Sequence, residues 1–160
     1  MTDDLELVLR APDPSELELL TQTYVREGRR SLWGGDEMQP RAWDRIAERF
    51  LAACVEDGHA LVVGSRDGSV CAGYALGTRV RGSKGADRAI VHWVYVRGIY
   101  RGRGLARRLV EHMTRGVRPA DVRVTHSCNK RHAARIRSEG WRFASRVPWL
   151  WLLSRDPGDF

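Results

Sequence analysis

The chain has only three cysteines, Cys54, Cys71 and Cys128, and no Cys-x-x-Cys pair. An odd count without that spacing argues against a disulfide framework and against a zinc ribbon, so a reducing, cytoplasmic setting and no metal cofactor are expected. The opening MTDDLELVLR is acidic where a signal peptide would be basic and then apolar, so no secretory leader is expected. The longest apolar run, 147–153, is broken by Pro148 and too short to span a bilayer, so no membrane partner is expected. There are no internal repeats or low-complexity segments, and 160 residues suit one domain, placed at 1–154 with a frayed tail at 155–160.

Charge is abundant and unevenly spread. Residues 1–60 hold 7 Lys/Arg against 13 Asp/Glu, whereas residues 61–160 hold 20 against 7, for a net +7 overall. Clustered arginine steers phosphates in, so a bound polyanion is one reading of the basic part; a solvated arginine-rich surface is the other.

Residues 5–10, LELVLR, alternate as a first strand, and Asp13-Pro14-Ser15-Glu16 supplies an N-cap, a first-turn proline and a capping-box acid for a helix to about Arg29. Pro40 opens a second helix in which Trp43, Ile46, Ala47, Phe50, Leu51 and Cys54 recur at the spacing of one buried face. The period then changes to two. ALVVG, a turn at Arg66-Asp67-Gly68 and SVCAGYALGTRV read as a hairpin, and the apolar run AIVHWVYV, 89–96, reads as a central strand. RGIYRGRGLARRLV follows as a glycine loop opening a helix, with Leu105, Leu109 and Met113 on one face. Val122, Val124 and His126 suggest a fifth strand, Asn129 caps a helix through Glu139, Gly140 stops it, and 141–154 is β-like. The order is β-α-α-β-β-β-α-β-α-β.

A helix N-terminus exposes unpaired N–H groups and a positive dipole end, and glycines before it let a phosphate approach the backbone. A P-loop is excluded because no Gly-Lys-Ser/Thr is present, and a Rossmann fingerprint begun at Gly102 fails at Arg107. What remains is Arg-x-x-Gly-x-Ala at Arg101, Gly104 and Ala106. Placed between a strand and a helix, it resembles the coenzyme A loop of the GCN5-related N-acetyltransferase (GNAT) superfamily. The element order, and the spacing of Asn129 to Gly140-Trp141, extend the resemblance over nearly the whole chain. It implies an α/β (α+β) fold: a central mixed, mostly antiparallel sheet of six to seven strands, flanked by about four helices and splayed between strands four and five. It also implies acetyl-CoA as co-substrate, with backbone N–H groups from Arg101 through Gly102, Arg103, Gly104 and Leu105 to Ala106 on its pyrophosphate. Arg101 and Arg103 would add charge-assisted contacts. Val94, Tyr95 and Val96 would pair with the pantetheine arm, and Asn129 would touch the pantetheine or the helix start.

Acyl transfer to an amine needs the amine neutral, the carbonyl polarised and the leaving thiolate protonated. The family often carries a glutamate on strand four, but AIVHWVYV has no acid, which leaves His92 as the catalytic or substrate-orienting candidate ahead of His126. The family's thiolate-protonating tyrosine falls at Ile136, so Ser127 is the candidate acid, with water, Tyr95 or Tyr100 as alternatives. Cys128 is a less favoured acylated nucleophile. Between the first two helices, Trp33 offers a platform and Asp36 and Glu37 offer anchors for a cationic acceptor. The expected acceptor is a primary amine of a small molecule or protein. Because the arginine excess exceeds the needs of one coenzyme A, an amine or base on DNA or tRNA is the alternative, as in small phage-encoded members that the chain also resembles. A non-catalytic coenzyme A-binding module is the third reading, and the apolar PWLWLL end leaves monomer and homodimer open.

Overall fold

A computed structural model describes residues 6–31, 39–81, 87–125 and 130–143. Strand β1, Val8–Arg10, is shorter than the alternation at 5–10 suggests. After it, the Asp13 carboxylate accepts from Ser15 N at 2.9 Å while Glu16 accepts from Asp13 N at 2.8 Å, the reciprocal capping box that the sequence encodes. A single 3-10 turn, Pro14–Glu16, then leads into α1, Leu17–Ser31. The buried Glu16 carboxylate also accepts two bonds from Arg10, at 2.7 and 2.8 Å, and Arg10 Nε donates to Ser65 O. One guanidinium thus ties the end of β1, the start of α1 and the Ser65 turn together.

Helix α2, Pro40–Glu56, buries Trp43, Ala47, Phe50, Leu51 and Cys54, with Ile46 half-buried at the margin. Strands β2 (Ala60–Gly64), β3 (Cys71–Arg81) and β4 (Asp87–Val96) follow, then α3 (Leu105–Met113), β5 (Val122–Val124), α4 (Lys130–Ser138) and β6 (Arg142–Phe143). The six strands lie in sequence order in one sheet. β1 to β4 are antiparallel to one another, while β4–β5 and β5–β6 are parallel. The sheet is therefore mixed and mostly antiparallel. Helices cover both faces, which explains why β4 reads as a nearly unbroken apolar run.

On one face, Leu20 and Tyr24 of α1 and Trp43, Ala47 and Phe50 of α2 pack on Val62, Tyr74, Leu76 and Trp93. Two polar atoms carried into this core have backbone partners: Trp43 Nε1 donates to Val25 O at 2.8 Å and the Tyr74 hydroxyl donates to Leu20 O at 3.2 Å. Burial also pushes the Tyr24 and Tyr74 hydroxyls above the ordinary tyrosine range. On the other face, Leu105 and Leu109 of α3 pack on Val63, Ala72 and Ala75, and Ile136 of α4 packs on Val91 and Val124.

Two irregularities in β4 position the site. The first is a bulge: Leu76 opposes Trp93 but Gly77 opposes Val91, so His92 is an extra residue that the β3–β4 register skips. Alternation is broken there, and both Trp93 and His92 turn toward the α1–α2 face. Trp93 meets Tyr24 edge-on at 5.4 Å, and His92 meets Phe50 edge-on at 5.0 Å. The second is a splay. β3 pairs with β4 as far as Val96, but β5 pairs only with Ala89, Ile90 and Val91. Thr125 closes the last rung, its N–H donating to Val91 O at 3.1 Å and its hydroxyl to His92 O at 3.2 Å. Beyond it, Val94–Val96 meet no strand on that edge among the described residues.

Candidate functional site

The segment after β4 is built to start a helix without covering its first amides. Arg97 N–H donates to Ala72 O at 2.9 Å, and a 3-10 turn at Gly98–Tyr100 redirects the chain. Gly102 and Gly104 then adopt φ of 81° and 73°. This left-handed region costs any residue with a Cβ about 1–2 kcal/mol, so both positions favour glycine. Gly104 is the N-cap of α3 and carries no side chain to cap it. The first helical bond after the loop is Arg108 N to Gly104 O at 3.1 Å, so the amides of residues 102–107 reach no acceptor among the described residues. A Cβ built on Gly102 or Gly104 would meet nothing within 4 Å. The space over these amides is open, and the anchor beneath them is firm, because Leu105 and Leu109 are buried against the sheet.

The loop's side chains are already committed locally. Arg101 Nε donates to Val96 O at 3.0 Å, and the Arg103 guanidinium lies 5.7 Å from the Tyr100 ring centroid, within cation–π range. Arg107 pairs with Glu111 at 2.6 Å, and Arg108 donates to Leu7 O at 3.1 Å. The backbone, with an exposed Ala106 beside it, is therefore the part of the loop that faces outward free of other work.

His92 is 2 % exposed, and its Nε2 lies 2.9 Å from Thr78 Oγ1. Thr78 and Thr125 were not singled out by the sequence, yet they hold the ring and the carbonyl of His92 respectively. The signal that points to them is Gly77 inside a strand pattern, a mark of a bulge. Ile136 is a core side chain, 3 % exposed against Val91 and Val124. Cys54 and Cys71 are buried thiols that form no disulfide, and burial pushes the Cys71 thiol up to about 11, which keeps it protonated at neutral pH. Trp33, Asp36, Glu37, His126, Ser127, Cys128 and Asn129 lie outside the described residues. Among the described residues no group of three or more His, Cys, Asp and Glu could hold a metal ion, and no helix is long and apolar enough to cross a membrane.

With this geometry in view, residues 19–134 match the family model described as acetyltransferase (GNAT) family. The chain belongs to the GNAT family. Solved structures share its fold. A GCN5-related N-acetyltransferase from Ralstonia eutropha JMP134 superposes with a TM-score of 0.60 at 15% identity, over 89% of this chain and 96% of that one. A predicted acetyltransferase from Clostridium acetobutylicum, solved with acetyl-CoA, gives 0.59 at 12% identity, over 88% and 93%. An aminoglycoside N-acetyltransferase in complex with CoA gives 0.55 at 19% identity, over 92% and 95%. No curated protein matches the sequence. In this GNAT chain eight residues, 97–104, join the splayed end of β4 to the start of α3, so Val94–Val96 and the 101–106 loop are neighbours along the chain.

Proposed function

We propose that this GNAT protein is an acetyl-CoA-dependent N-acetyltransferase that acts on a primary amine by direct attack in a ternary complex. The observation that carries the reading is the run of amides at residues 102–107 that reach no acceptor among the described residues, directly downstream of a strand edge that meets no further strand among them. A pyrophosphate fits the first feature, since helix N-terminal amides and the helix dipole favour anions. An amide-bearing pantetheine arm fits the second, because it can pair with Val94–Val96 as a strand would. Two of the structurally similar acetyltransferases hold CoA or acetyl-CoA, which supports the same ligand here.

When bound, the co-substrate supplies an activated acetyl thioester. The chain's own residues orient that group and exclude competing positions. Val94–Val96 hold the arm straight along β4, and the amides of residues 102–107 fix its charged end. His92 acts as an orienting residue: its bulge ends the β4–β5 pairing, and Thr78 on one side and Phe50 on the other fix its ring. Ser127 is the proposed proton donor to the leaving thiolate, and Trp33, Asp36 and Glu37 the proposed acceptor contacts, on their sequence positions. The experiment is calorimetric titration with acetyl-CoA, followed by mass spectrometry of a panel of amines. Saturable binding and a gain of one acetyl group on an amine are expected; absence of binding overturns the reading. Binding without transfer to any amine would instead support a non-catalytic module, the reading that Ile136 at the family's tyrosine position favours.

A further inference from the structure

The far end of the sheet carries a second basic surface that the loop does not use. Val91, Val124 and Phe143 point into the α3–α4 side. By alternation, Ile90, Arg123 and Arg142, which lie opposite one another across β4, β5 and β6, point to the α1–α2 side of the sheet. Arg88 lies two residues before Ile90 on that same face, opposite Val80 of β3. Arg88 and Arg142 are exposed, Ile90 and Arg123 are half-buried, and Val80 is 41% exposed, so α2 leaves this part of the sheet open.

Like charges directly opposite each other on neighbouring strands are destabilising. Arg123 and Arg142 are such a pair, and the nearby acids are taken: Asp121 by Arg118 at 2.7 Å, and Asp87 by Arg79 at 3.9 Å. Arg88, Arg123 and Arg142 meet no carboxylate among the described residues. A local rule broken in this way marks a functional surface when a ligand restores the balance. The three arginines stand on three strands, whose backbones lie about 5 Å apart, and Arg123 NH1 donates to Ala120 O at 2.6 Å and to Val122 O at 3.2 Å, with no carboxylate among its partners. That layout suits a row of phosphates better than a single anion.

We propose that this face binds the phosphate backbone of a nucleic acid. Charge complementarity chooses the occupant: the excess of 20 Lys/Arg over 7 Asp/Glu in residues 61–160 is larger than one coenzyme A requires, and these three arginines lie at the end of β4 away from the loop. Among the described residues the face offers no exposed aromatic ring for bases to stack on, so the contact reads phosphates and not sequence. The inference does not rest on acetyl transfer.

The test is fluorescence anisotropy of the full chain with labelled single-stranded DNA, single-stranded RNA and duplex DNA of mixed sequence, over a salt series. Three phosphate contacts predict a log–log salt slope of about −2 for a single strand and nearer −3 for duplex. Replacing Arg88, Arg123 and Arg142 together by Gln should weaken binding about tenfold or more and remove most of that slope. The melting temperature should hold or rise, since a like-charge pair is removed, and acetyl-CoA affinity should be unchanged. Arg142→Gln alone is the second variant, expected to flatten the slope by about one contact. No salt-dependent binding by the wild-type chain, or unchanged binding by the triple variant, would overturn the proposal. So would polyglutamate competing as well as the oligonucleotide, which would assign the face to an acidic protein. Because coenzyme A binding is read separately, failure here leaves the acetyltransferase reading untouched, and the converse holds.

Discussion

The two halves of β4 share one strand and one neighbour, β3, yet differ on the other edge. From Ala89 to Val91 the backbone is paired on both sides, with β3 and with β5; at Val94–Val96 it is paired, among the described residues, with β3 alone. The residue between them, His92, is the bulge. The first half is structural and carries its charge on an outer face, whereas the second half leads into glycines and open amides. A single extra residue, held by Thr78 and by the Thr125 rung, thus separates a part of the strand paired on both edges from a part whose second edge meets no strand among the described residues.

The comparison is broken most directly at the loop. Gly104→Glu should reduce acetyl-CoA affinity at least about 100-fold in a calorimetric titration, because a left-handed residue gains about 1–2 kcal/mol of strain and a carboxylate enters the proposed phosphate space. Gly98→Ala, at a position with ordinary φ and open surroundings, should leave that affinity unchanged. A smaller effect is expected beneath the free edge. A Cβ on Gly73 would lie 2.5 Å from Tyr95 O and 3.1 Å from Val96 Cα, so Gly73→Ala must displace the strand segment proposed to pair with the pantetheine. It should destabilise the fold by about 1–3 kcal/mol in chemical denaturation and weaken acetyl-CoA binding as well.

The bulge itself offers a milder perturbation. Thr78→Val removes the buried bond to His92 Nε2 and should cost about 1 kcal/mol of stability. It should lower kcat by up to about tenfold with acetyl-CoA affinity unchanged, the pattern of a positioning residue. Loss of an inflection between pH 5 and 8 in the His92→Gln pH profile would instead make His92 a base. The smallest expected effect concerns Cys71, whose carbonyl accepts from Arg97 NH1 at 3.3 Å. Its thiol rises from 9.0 to about 11 through burial. The folded state therefore binds the proton more tightly than the unfolded state, so this contribution to stability is full below pH 9 and declines between pH 9 and about 11. Cys71→Ser should flatten that part of a stability–pH curve measured by urea unfolding.

Much of this was legible in the residues, for reasons that differ by element. α2 was readable because its apolar positions repeat at helical spacing, and the start of α1 because the Asp13–Glu16 box is a local signal. The loop was readable because glycine and the strand-to-helix change are both local. The bulge at His92 was not, since it depends on the register between β3 and β4, which residues 92 and 77 do not announce alone. The local commitments of Arg101 and Arg103 were also hidden: both arginines look free in sequence, but one bonds Val96 O and the other lies over Tyr100. The ends of strands were the least legible, as shown by β1, which begins at Val8, and β5, which stops at Val124.

Amide hydrogen exchange with and without acetyl-CoA tests the central claim most directly. Protection should appear at Val94–Val96 and at the amides of residues 102–107, while Ala89–Val91, already paired on both edges, should not change. Protection confined to other segments, or none at either half of β4 and its loop under saturating acetyl-CoA, would contradict the account.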